Sequence, residues 1–235
     1  MVLHRLLTTL TKLNTDQPND PLVKLVAFLD DVTIIASPDQ ARTALRLIKE
    51  EGPALGLHIS FTKSVYWSSS DDGVDWDPSD SCPASFSPGI ELLGGCIATT
   101  QAYAGAVAAK RVEKFSSAVN TMLKIKDPQL CLLLLRSCVG MPKLNYCWRV
   151  NSPSALCAAA GQADTVIVDA LTSIICNGLK LAGNFAVQLA SLPVALSGLG
   201  VSLPSDVLKF AHFAATIDTM GLRKELFPSI LSNHS

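Results

Sequence analysis

Apolar residues recur every three or four positions from Val2 to Leu13, with Leu3, Leu6, Leu7 and Leu10 on one face. That period predicts a helix. A turn-rich connector, NTDQPNDP, follows. Two short β-prone runs, Leu22–Phe28 and Val32–Ala36, then flank Leu29-Asp30-Asp31 and predict a strand, a tight turn and a strand. Ser37-Pro38 opens a helix, with Ser37 as N-cap, Pro38 in the first turn and Asp39 beside it. Ala41, Ala44, Leu45 and Ile48 keep its period, and Gly52-Pro53 ends it. Leu57–Ser60 alternates like a short strand, and Ser68–Gly89 is polar and reads as a loop. Ile90–Thr99 is β-prone around Gly94-Gly95.

From about Ala106 the period turns helical. Ala108, Val112, Phe115, Val119 and Met122 form one stripe, while Lys110, Lys114 and Lys124 lie on another face. Asp127-Pro128 starts a second helix that stops near Gly140. Further helices are expected at roughly 153–175, 184–190 and 205–219. The pattern gives an α+β part over 1–99 and an all-helical part over 100–235.

Composition sharpens this picture. Of 235 residues, 49% are hydrophobic and 17% charged, against about 25% charged in an average chain. That balance argues against disorder. No uninterrupted apolar stretch reaches the roughly 18–20 residues of a membrane span, so no membrane partner is expected. The net charge of −1 hides an uneven distribution. Residues 105–150 hold eight basic and two acidic residues, while the loop from Asp71 to Asp80 holds five aspartates and no base. The seven cysteines show no Cys-x-x-Cys spacing and mostly sit in apolar runs. They predict free thiols in a reducing, intracellular setting, cytoplasmic or nuclear.

The candidate chemistry begins at Asp30-Asp31. Adjacent carboxylates between β-branched strands repel each other, and divalent cations relieve that repulsion by taking carboxylate oxygens. A solvated acidic turn is the plainer alternative, although hairpin turns favour Asn-Gly or Asp-Gly. The run Val26-Ala27-Phe28-Leu29-Asp30-Asp31-Val32-Thr33-Ile34-Ile35 resembles the catalytic hairpin of reverse transcriptases. Gly56–Ser64 resembles the next motif, a glycine-led strand ending in lysine, Lys63. Glu91-Leu92-Leu93-Gly94-Gly95-Cys96-Ile97 is similar to the primer-grip hairpin, and residues 109–153 to the helical thumb of non-LTR-type retroelements. Leu192-Pro193 and Gly198–Val201 resemble the region after that thumb.

The resemblance implies a partial polymerase palm followed by a helical thumb, related to RNA-directed DNA synthesis. It implies Mg²⁺ or Mn²⁺ as cofactor, with Asp30 as metal ligand, Asp31 assisting the site's charge and geometry, and Lys63 near the triphosphate. It implies an RNA template and DNA primer as partners. Gly94 and Gly95 would lie near the primer, and Lys110, Lys114 and Lys124 would contact phosphates. Each glycine also fits a plain turn or bulge, and each lysine a solvated face.

The family's third carboxylate, its fingers and its template-binding glycine motif are not matched here, and only 29 residues precede Asp30. The expectation is a chain that does not polymerise alone and has the N-terminal part of a polymerase as a further partner. Its unmatched apolar surface would be orphaned interface. A non-catalytic nucleic-acid-binding protein and a protein-interaction module, both retroelement remnants, are the alternatives.

Overall fold

A computed structural model describes residues 24–28, 31–68, 84–85, 88–175 and 183–226. The expected helix over 2–13 and the acidic loop over 71–80 lie outside the described residues. The architecture is α+β and mostly helical. The chain divides into two compact units, 1–86 and 87–235.

In the first unit, β1 (Lys24–Phe28) and β2 (Asp31–Ile35) pair antiparallel, with Phe28 opposite Asp31. Strand β2 thus begins at Asp31, one residue earlier than expected. Helix α1 (Pro38–Glu51) starts as the sequence predicts. The Gln40 side chain accepts a hydrogen bond from the Ser37 N–H at 3.3 Å, the reciprocal half of a capping box. Ala44 is the buried centre of a small cluster with Ile34, Leu47, Ile48 and Leu55. Leu57–Ser60 pairs with no described strand. The chain leaves α1 through a left-handed Gly56, and the Leu57 N–H bonds back to the Gly52 carbonyl at 2.9 Å. A short parallel pairing joins β3 (Tyr66–Trp67) to β4 (Ala84–Ser85).

The second unit opens with an antiparallel hairpin, β5 (Gly89–Leu92) and β6 (Gly95–Ala98). Helix α2 (Gln101–Met122) begins five residues before the expected start. Thr100 caps it, its hydroxyl accepting from the Tyr103 N–H at 3.4 Å. The expected stripe Ala108, Val112, Phe115, Val119 and Met122 is buried throughout.

Helix α3 (Pro128–Leu134) is capped by the Asp127 carboxylate, which accepts from the Leu130 N–H at 3.0 Å. It runs through a π-helical turn, Leu135–Val139, to Gly140. Then come α4 (Met141–Val150), α5 (Pro153–Ile175), α6 (Gly183–Ser191), α7 (Pro204–Asp218) and α8 (Met220–Leu226).

Helix α5 is long and apolar enough to cross a membrane. Here, however, one face of it builds the core: Leu156, Ala159, Ala160, Ala163, Ile167, Ala170 and Leu171 are buried in the cluster that includes Phe115 and Trp148. Alanines on that face let α2 and α7 approach closely, which explains the Ala-rich sequence. Trp148 is fully buried, and its indole N–H donates to the Pro204 carbonyl at 2.9 Å, tying α4 to α7.

The unit boundary at 86/87 differs from the compositional break near residue 100. Hairpin β5–β6 is bonded to the helices that follow it. Asn151, buried to 4% exposure, accepts from the Cys96 N–H at 2.9 Å and donates to the Cys147 carbonyl at 2.9 Å.

Candidate nucleic-acid interface

The residues singled out from the sequence fall into both units. Asp30 lies outside the described residues. Asp31 is exposed at the start of β2, and Lys63 is exposed in the turn that follows residues 57–60. That turn is closed by the Lys63 and Ser64 N–H groups bonding to the Ser60 carbonyl at 3.0 Å each. Among the described residues no three His, Cys, Asp or Glu side chains gather into a metal-holding group. A two-metal centre needs several converging carboxylates. Of the expected pair, Asp31 is the member that lies among the described residues.

The second unit brings the other residues together. Leu93 and Gly94 form the two-residue turn of β5–β6, with φ of 47° and 79°. Positive φ at both positions is the pattern of a type I′ hairpin turn. Two helices grip this turn. Arg111 of α2 donates to the Gly94 carbonyl at 2.6 Å, and Tyr146 of α4 donates its hydroxyl to the Leu93 carbonyl at 2.8 Å.

The glycines permit that approach. A Cβ on Gly94 would lie 3.3 Å from the Tyr146 ring, and one on Gly95 would lie 3.3 Å from Val150. The missing side chains therefore face helix α4. A side chain at either position would press on Tyr146 or Val150 and make it give by a few tenths of an ångström.

Lys110, Arg111 and Lys114 line one groove with Glu91, Glu113 and Ser117. Arg111 also lies 3.6 Å from the Glu91 carboxylate, which offsets part of that acid's charge. Lys110 and Lys114 are exposed on successive turns of α2. Lys124 lines a neighbouring groove with Asn120, Thr121 and Gln162, and Glu113 and Ser117 border both. The basic face is thus interrupted by two acids.

Sequence reasoning missed Arg111, Tyr146 and Asn151 as the residues that fix the hairpin. Each acts across 17 to 55 positions of chain. The Leu-Gly-Gly core was the one available signal, because a glycine pair between β-prone runs asks what approaches it.

The cysteines beside the hairpin are quiet. Burial pushes the Cys96 thiol up, and the nearby Glu91 carboxylate adds to it. Burial also pushes Cys147 up, against the opposing pull of Arg111 and the Asn151 hydrogen bond. A thiol held protonated is a poor nucleophile. Cys138 and Cys157 are exposed. Residue-resolved alkylation near pH 8 should modify Cys138 and Cys157 well before Cys96 and Cys147. Equal rates for the four would contradict this burial.

Comparison with family models, with curated proteins and with solved structures finds no match to this chain. The functional reading rests on its residues and their geometry.

Proposed function

We propose that this protein is reverse-transcriptase-like, with a partial palm up to the acidic hairpin's following motifs and a helical thumb beyond. In this reading it binds primer–template duplex through the second unit and does not polymerise by itself. The observation that carries it is the groove between strand β5 and helix α2, where Lys110 and Lys114 stand beside a glycine turn gripped by Arg111 and Tyr146. Lysines spaced one turn apart present two cations to successive phosphates, and phosphate contacts supply most sequence-independent affinity. The order of elements adds support: a strand pair with Asp31 at its head, a capped helix, a lysine turn, then the glycine hairpin.

The exposed apolar side chains among the first unit's described residues fit this reading. Among its described residues only Ala44 anchors a hydrophobic cluster, while Val26, Ile35 and Val65 stay exposed. In a complete palm those side chains would be covered by further strands.

Primer extension with Mg²⁺ or Mn²⁺ tests the catalytic part. The 235-residue chain is expected to give no extension. Extension that disappears in Asp30→Ala would overturn the inactivity and keep the family. Duplex titration at several salt concentrations tests the binding part.

A second reading, a protein-docking module, is favoured by Phe210 and Phe213 on α7, which are 69% and 66% exposed. Ile217 extends them at helical spacing. The duplex titration separates the two readings, because an apolar dock does not bind duplex with steep salt dependence.

A further inference from the structure

Helix α7 has two apolar sides. Pro204, Leu208 and Ala211 are buried. On the opposite side Phe210, Phe213, Ile217 and, in α8, Met220 are between 45% and 69% exposed. Helical bonding runs across the joint between the two helices: the Thr219 N–H bonds to the Ala215 carbonyl at 3.1 Å, and the Arg223 N–H to the Thr219 carbonyl at 2.9 Å. One seam therefore spans both helices: Asp206, Phe210, Phe213, Ile217, Met220 and Lys224, all exposed. Its spacing alternates four and three, the repeat by which two helices interdigitate. The series 4-3-4-3-4 also reads the same from either end. An acid closes one end and a base the other.

We infer that this seam is a self-association surface, on which a second copy of this chain docks antiparallel about a two-fold axis. In that arrangement Phe210 meets the partner's Met220, Phe213 meets the partner's Ile217 and Asp206 meets the partner's Lys224, and symmetry forms each pair twice. Parallel docking would set acid against acid and base against base, so charge selects the antiparallel arrangement. Ala214 and Gly221 flank the seam, exposed and small, and let the two backbones come close. Asp206 pairs with Lys209 of its own helix at 3.1 Å, an exposed contact weak enough to be exchanged. Covering four apolar side chains per copy makes a small interface and a weak, micromolar dimer. The inference rests on the docking reading of this face and is independent of duplex binding.

The test is sedimentation of the full chain over a concentration series reaching about 0.5 mM, which brackets weak self-association. Wild type should pass from monomer to dimer and go no further, because a two-fold interface closes on itself. Phe213→Asp should weaken the dimer at least about a hundredfold, since symmetry repeats the lesion. Its dilute monomer should melt like wild type, since the side chain is exposed. Lys224→Glu should weaken the dimer several-fold, and adding Asp206→Lys should restore it, because the swapped charges face each other again. A wild type that stays monomeric throughout overturns the inference and leaves the face to a different protein. Growth beyond the dimer overturns it as well. So does a dimer that Phe213→Asp leaves intact, or a charge swap that weakens the dimer further. Duplex binding stands untouched by each of these outcomes.

Discussion

Replacing Trp148 with alanine should remove about 3–5 kcal/mol of stability from the second unit, the range found when a large aromatic is truncated in a core. Trp148 is 0% exposed and is the largest fully buried side chain among the described residues. Two losses add up at this position. A cavity is left in the cluster that α2, α4, α5 and α7 share. The α5 members of that cluster, Leu156, Ala159, Ala160 and Ala163, are themselves buried. The Pro204 carbonyl also loses the indole N–H that it accepts from at 2.9 Å.

Trp148→Phe separates the two terms. It keeps most of the volume and leaves the carbonyl unpaired, for an expected loss of about 1–3 kcal/mol. Urea unfolding followed by far-UV circular dichroism measures both variants. A loss below about 1 kcal/mol in Trp148→Ala would mean that α4 and α7 do not share the core described, since core truncations of this size cost more.

The helical core was legible because it obeys local rules. The stripe from Ala108 to Met122 keeps the helical period, and Ser37 and Asp127 stand where caps belong. What could not be read is what depends on distant partners. Arg111 reads as one more base on a basic helix, and only the folded chain aims it at Gly94. Tyr146 and Asn151 likewise become hairpin clamps through bonds spanning more than 50 positions. The same bonds move the unit boundary to residue 86, because composition changes where α2 begins while contacts continue back into the hairpin. At the candidate site, Lys110 and Lys114 were visible as lysines on one face. Glu91 entering their groove was not, since it comes from the facing strand.

Reversing both groove lysines, Lys110→Glu with Lys114→Glu, should have the largest effect on duplex binding. Each phosphate neutralised contributes about 0.9 to the slope of log affinity against log salt on B-form duplex, so losing two contacts should lower the slope by about two. Affinity should fall most at low salt and converge toward wild type as salt rises, because screening weakens attraction and repulsion alike. Stability should change little, since both side chains are exposed. Glu91→Gln gives the opposite sign. Its carboxylate faces the same groove and is only partly offset by Arg111 at 3.6 Å. Neutralising it should tighten binding at low salt and leave Arg111 free to hold the Gly94 carbonyl. The pair of variants therefore brackets wild type from both sides. A double reversal that leaves the slope unchanged would show that the duplex does not follow this groove, and a Glu91→Gln chain that binds more weakly would show that Arg111 needs its acid partner to keep the hairpin in place.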